Sequence, residues 1–470
     1  MNALKYLLLF CALLLFHAGS AQDSLKSLSA QQVIEIVKQY HPVAKQASIL
    51  IEKANADITI ARGGFDPLLY NSLAQKTFDG TDYYNYSGTE LSIPTWFGVE
   101  LMAGMENLSG SRTNPQETSG KTSYFGISVP LAKNLLMDNR RAALQTAKIF
   151  RKASEVERRN ILNNLLFNVI KNYWYWMQFY KVYKILTDAV LVNEKRFDLV
   201  KAGYQLGDRP AIDTTEALAQ LQNFQVLREN ASMQFQNAGL DLSVFLWKQN
   251  DQPFYLPVGA FPADESELLS ITQAPLPVLT ELLDVTRKNH PELLLYNFKQ
   301  YALTIDRKLK FQQLLPVANF RYNQLGKGYD IVKTTTRPLF ENNFQYGFTF
   351  GIPLRLLEGR GEYKKAKLRI TENRLEQNIK QAEVENKVKT YFNELVAVKN
   401  QVIVQEKAHA NYQLLQRGEE TRFRSGESSL FLINARENKT LEALQKLQEL
   451  RTKYLITVNA LQWAAGLLVQ

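Results

Sequence analysis

Cysteine is nearly missing from this 470-residue chain: its only one is Cys11. Cys11 lies in an apolar run, Tyr6 to Phe16, preceded by Lys5 and followed by the small residues Ala18 to Ala21. That pattern is a secretory leader over residues 1–21, cut near Ser20 or Ala21. Phe10 stands before Cys11 where a lipoprotein leader would carry a small residue. The exported chain is then expected to have no cysteine. This excludes disulfides, thiol catalysis and cysteine metal sites. Histidine is scarce too, with four in all, of which His17 leaves with the leader. His41 and His290 each precede a proline and read as structural, and His409 falls on a packing stripe. No transition-metal cluster is expected from them.

Long apolar runs are also missing beyond the leader, so no segment reads as a transmembrane helix. An exported chain of this kind is either soluble or crosses a membrane as strands. The net charge of +10, or +9 without Lys5, is spread over both signs along the helical stretches. Such interleaving marks solvated faces, and no nucleic-acid partner is expected. Catalytic patterns fail as well. Gly120-Lys-Thr122 lacks the first glycine of a phosphate loop, since residue 115 is proline. Neither Gly-x-Ser-x-Gly nor His-Glu-x-x-His occurs. The chain is read as a non-enzyme with no cofactor.

Proline is absent from Asp138 to Gly207, and glycine appears there only at Gly203 and Gly207. These are the residues that break helices. One helix of roughly 65 residues, about 100 Å long, is therefore expected. It closes in Tyr204-Gln-Leu-Gly207, and a second helix follows Pro210. A similar run from Gly359 closes in Phe423-Arg-Ser-Gly426, again followed by a helix.

These runs belong to a duplication with a period of about 220–250 residues. His41-Pro42 matches His290-Pro291, and Pro67 matches Pro316. Val129-Pro-Leu131 matches Ile352-Pro-Leu354, and Tyr173-Trp174 matches Tyr391-Phe392. Tyr204-x-x-Gly207 matches Phe423-x-x-Gly426. The first repeat covers 22–250, with strands in 65–130 and a helical hairpin over 138–250. A linker rich in proline, 251–277, precedes the second repeat, 278–470. That repeat has strands in 315–354 and a hairpin over 359–468. Val384, Val388, Tyr391, Leu395, Val398 and Val402 keep coiled-coil spacing and require partner helices. Trp174, Tyr175, Trp176, Phe179, Tyr180 and Tyr183 read as helix packing.

The strand stretches alternate. Phe344, Tyr346, Phe348 and Phe350 are separated by Gln345, Gly347 and Thr349. Phe125, Ile127 and Val129 alternate with Gly126 and Ser128. Alternation over about 9–11 residues marks an outer-membrane barrel strand, with Phe344, Tyr346, Phe348, Phe350, Phe125 and Ile127 toward lipid. A soluble sandwich strand alternates in the same way. The turn-rich stretches Asp79–Ser87, Leu108–Lys121 and Gly326–Asn343 read as long outer loops. At least four crossings are expected, and Thr89–Ile93 with Phe97–Glu106 offer an extra hairpin. The number must be even, because helices flank the strands on one side. Four to six strands cannot close a membrane barrel, which needs about eight or more. Several copies must therefore share one, and three copies of four strands give twelve.

The leader, the duplicated helix–strand–strand–helix unit, the His-Pro pairs, the Pro-Leu strand ends and the aromatic-x-x-Gly tips resemble the TolC family of outer-membrane efflux proteins. The resemblance covers nearly the whole exported chain. It implies a mainly α fold with membrane β-strands: a homotrimer sharing a barrel in outer-membrane lipid, about four strands per chain. A tunnel of α-helical hairpins extends from it through the periplasm. It implies an exit duct for small molecules, metals or polypeptides, docked to a periplasmic adaptor and an inner-membrane pump. It also implies a periplasmic constriction lined by acids six residues past each tip glycine. The first repeat keeps one, Asp213, with Glu216 a turn later and Arg209 nearby. The second has Leu432 and Ala435 there, and Phe423 where the family has tyrosine. Acids near a helix start are also favoured by the helix dipole. The tips, with Tyr204, Gly207, Phe423 and Gly426, are the expected adaptor-docking points. The alternative is a periplasmic coiled-coil adaptor or envelope scaffold without a pore.

Overall fold

The computed structural model describes residues 27–114, 116–257, 259–263, 275–352 and 354–469. The expected leader and residues 264–274 of the linker lie outside that range. The chain divides into two units, one of residues up to 45, 162–281 and from 388, the other of 46–161 and 282–387.

In chain order, β1 (Ser27–Leu28) leads into α1 (Ala30–Tyr40) and α2 (Pro42–Gly63). Four strands follow: β2 (Leu68–Phe78), β3 (Thr81–Pro94), β4 (Glu100–Ser109) and β5 (Gly120–Pro130). Then come α3 (Asn139–Gln205), α4 (Ala211–Ser243) and the short β6 (Phe261–Pro262). The order restarts with α5 (Leu279–Asn289), α6 (Pro291–Gln312), β7 (Val317–Lys327), α7 (Ile331–Thr335) and β8 (Phe344–Gly351). It ends with α8 (Leu357–Arg424) and α9 (Leu430–Ala464). The two long helices have 67 and 68 residues. The histidines at the two early breaks share one backbone conformation, φ −65° and ψ 131° at His41, φ −62° and ψ 124° at His290. A following proline forces this extended geometry and so ends the helix before it.

The first unit is built on helix packing. Leu28, Val33 and Val37 bury against Leu166, Val169, Tyr173 and Trp176 of α3 and Leu242 of α4. Burying a side chain of this size contributes about 1.5–3 kcal/mol. The Tyr173 hydroxyl donates to the Leu28 carbonyl at 3.0 Å, fixing the start of the described chain. The expected aromatic cluster is packing: Trp176, Tyr180 and Tyr183 gather around Phe235 of α4 at ring distances of 5.3–6.1 Å. Val388, Leu395, Val398 and Val402 on α8 are buried as the heptad requires.

The second unit holds a six-stranded antiparallel sheet in the order β2-β3-β4-β5-β7-β8. The described sheet has six strands where about four per chain were expected, because the 89–106 stretch lies within β3 and β4. The first repeat thus inserts a second hairpin where the duplicated unit has one. Asp79–Ser87 is also not a long loop. Asp79 and Gly80 take φ of 51° and 70°, a tight turn between β2 and β3. Asp-Gly suits such a mirror-image turn, whose twist matches that of the strands. Among the described residues, no helix is long and apolar enough to cross a membrane.

Candidate functional site

Side chains alternate across a strand, and directly paired residues share a face. The register therefore sorts the sheet into two surfaces. Ile93, Leu101, Ile127, Tyr322 and Tyr346 form one row across five strands. Leu69, Leu91, Ala103 and Phe125 form the next, leading to Gln324 and Phe344. Val129, Phe320 and Phe348 share a third. All six residues read from sequence as lipid-facing lie on this apolar surface. Tyr346, Phe348 and Phe350 stand 58–64% exposed, far more than a folded core leaves. Near the sheet's far end, α7 and its loop lie on the same surface. Thr334 Oγ1 is 3.0 Å from Ser123 Oγ, and the Phe340 amide donates to the Tyr322 hydroxyl at 2.8 Å.

The opposite surface is polar, as the alternation requires, and it gathers side chains that no single strand reveals. It holds Tyr86, Glu90, Glu106, Tyr124, Arg321 and Asn323 around a cavity of about 300 Å³. Tyr124 donates to Glu90 Oε2 at 2.5 Å, and Arg321 reaches the same oxygen at 3.4 Å. Three strands are tied together this way. Gly104 makes room: a Cβ there would lie 2.4 Å from Tyr124 Cζ. The opposite faces of the sheet therefore suit hydrocarbon and water respectively.

The second candidate region is the pair of hairpin ends in the first unit. α3 closes with the Gly207 amide bonded to Tyr204 O at 3.0 Å and the Asp208 amide to Gly203 O at 2.9 Å. α8 closes identically, Gly426 to Phe423 O at 3.1 Å and Glu427 to Arg422 O at 2.9 Å. This two-bond closure needs a left-handed residue, which Gly207 (φ 80°) and Gly426 (φ 73°) supply. The aromatic-x-x-Gly repeat is thus the signature of a helix stop.

Arg209 joins the two ends. Its guanidinium lies 4.4 Å from the centre of the Phe423 ring and 3.4 Å from Asp213 Oδ2. Glu216 accepts from Asn434 of α9 at 3.2 Å. The acids of the first repeat therefore have partners within the chain. The second repeat answers them with an aromatic ring and an amide instead of carboxylates. Leu432 remains 39% exposed, while Tyr204, Leu206, Ile212 and Phe431 form an exposed apolar fringe. One layer deeper, Arg196 of α3 holds Glu437 of α9 through contacts of 2.6 and 3.2 Å. Asn193 adds a bond to Glu437 at 3.3 Å. Nothing local marks this pair, since helical spacing does not reveal which distant helices meet.

No family model matches the sequence, and no curated protein matches it. Solved structures do. The CmeC outer-membrane channel of Campylobacter jejuni aligns over 93% of this chain and 85% of its own, with a TM-score of 0.59 at 14% identity. The outer-membrane protein VceC of Vibrio cholerae aligns over 93% and 96%, TM-score 0.62, at 14% identity. The MtrE outer-membrane channel of Neisseria gonorrhoeae aligns over 93% and 88%, TM-score 0.63, at 12% identity. At such identities the likeness is one of fold, and it runs nearly end to end. The chain has the fold of the TolC-like outer-membrane channels.

Proposed function

We propose that this protein is an outer-membrane exit duct, one subunit of a homotrimer that passes material from an inner-membrane pump to the exterior. The observation that carries the reading is the sheet: one face apolar and exposed, the other lined with carboxylates, tyrosines and Arg321. A water-soluble sheet would cover its apolar face with core. A membrane wall leaves that face to lipid and turns the other to a watery lumen. The proteins named above as outer-membrane channels support the same reading. The leader over residues 1–21 supports export, and the repeat and linker boundaries read from sequence divide the duct's subunit. In this reading the chain does no chemistry, and the pump supplies the energy. The exposed fringe at Tyr204, Leu206, Ile212 and Phe431 is the docking edge for the adaptor, and Asp213, Glu216 and Arg209 line the narrow end.

Membrane fractionation followed by planar-bilayer recording tests it. The duct resists extraction by salt and high pH and gives discrete conductance steps after purification in detergent. A protein released by high pH, with no conductance, would be the pore-free scaffold instead.

A further inference from the structure

The sheet has two edges, one on β2 and one on β8, with no neighbour among the described residues. Every residue of β2 is exposed, and so is β8 up to Gly351. Unpaired backbone groups in hydrocarbon cost several kcal/mol each, so open edges do not persist there. Six antiparallel strands leave the two edge strands running in opposite directions. The β8 edge of one copy therefore meets the β2 edge of the next in antiparallel sense, with no change of pattern.

We propose that copies of this chain seal β2 (Leu68–Phe78) against β8 (Phe344–Gly351), and that residues 81–109 are part of the wall, so that the trimer encloses an eighteen-stranded barrel. The proposal rests on the trimeric duct reading above. Three copies of six strands give eighteen, where four strands per chain would give twelve.

Three features hold the extra hairpin in the wall. β3 and β4 pair without interruption from Asn85↔Ser109 to Pro94↔Glu100, and each also pairs on its other side. β2 reaches β5 only through them, so a hairpin outside the wall would detach β2. Second, both surfaces continue across the hairpin. Leu91, Ile93, Leu101, Ala103 and Met105 extend the apolar one. Glu90 and Glu106 extend the polar one. Third, the turn after Pro94 lies level with Ser128 and Arg321, at the end where the strands leave for helices. It carries Trp96 and Phe97, 79% and 58% exposed. Exposed aromatics at that level suit the membrane interface. Barrel diameter grows roughly in proportion to strand number, so this barrel is about half again as wide as one of twelve strands.

Single spin labels test the wall, since the exported chain has no cysteine of its own. Leu91→Cys, Ala103→Cys, Ser92→Cys and Glu106→Cys variants are labelled in liposomes, with Ile127→Cys and Phe348→Cys as references. Collisions with oxygen report hydrocarbon, and collisions with a nickel chelate report water. The expected result is oxygen access at Leu91 and Ala103, chelate access at Ser92 and Glu106, and oxygen access at both references. Chelate access at all four hairpin sites, with the references still in hydrocarbon, overturns the eighteen-strand wall and leaves the duct. Chelate access at the references overturns the duct reading itself. Electron cryo-microscopy of the unaltered particle removes dependence on any variant: eighteen strands support the proposal, twelve refute it.

Discussion

Replacing Arg196 by methionine offers the sharpest test of how the two hairpins are held together. Methionine keeps much of the packing of the arginine stem but removes its charge. Glu437, whose side chain is only 5% exposed, would keep its carboxylate in a dry contact between α3 and α9. Stripping one partner from a buried ion pair costs about 3–5 kcal/mol. The bond from Asn193 to Glu437 survives, so the low end, about 3 kcal/mol, applies here. The double variant Arg196→Met with Glu437→Leu removes both charges and should return to within about 1 kcal/mol of the parent. Native-state hydrogen exchange in detergent reads this locally. Amides of α9 near residues 430–440 should exchange on the order of 100-fold faster in the single variant, and near the parental rate in the double. Parental exchange in the single variant, or no recovery in the double, would refute the assignment of this pair as the clasp between the hairpins.

Three further outcomes are expected. Alanine at Gly207 or Gly426 puts a side chain into left-handed backbone and should cost about 1–2 kcal/mol each, seen as faster exchange confined to that hairpin end. Phenylalanine at Tyr173 removes one of two donors to the buried Leu28 carbonyl and leaves it the Ala263 amide, costing about 0.5–1.5 kcal/mol and exposing the chain near residue 28 to limited proteolysis. Burial holds His41 below its ordinary value, and burial plus Arg451 does the same for His409. Both imidazoles are thus favoured neutral in the fold. Their stabilisation is present above about pH 6.5 and is lost as pH falls below it. The drop in thermal midpoint between pH 7 and pH 5 should shrink in a His41→Asn, His409→Asn variant.

Much of the fold is written in local signals. Long helices follow from the missing prolines, and β8 from the strict alternation of Phe344 to Phe350. The missed strand shows the limit of such signals. Thr81 to Ser87 mixes tyrosine and polar residues on both faces, so no alternation marks it. The register explains this: these residues lie beyond the apolar rows, toward the Asp79-Gly80 turn. That Asp-Gly pair was the available clue, since it favours a tight hairpin over a loop. The hairpin ends divide similarly. Gly207 and Gly426 are legible because a helix stop is local. The seat of Arg209 on Phe423 is not, because it depends on how two hairpins far apart in sequence pack. Glu90, Tyr124 and Arg321 were hidden for the same reason: each sits on a different strand, and only the register brings them together.

In the duct reading one chain is too small to enclose a pore, and three do so together. Native mass spectrometry of the particle extracted from outer membranes measures this directly. The expected species has three chains, persists in mild detergent and falls to single chains on heating. A stable single chain that still conducts in planar bilayers would contradict it.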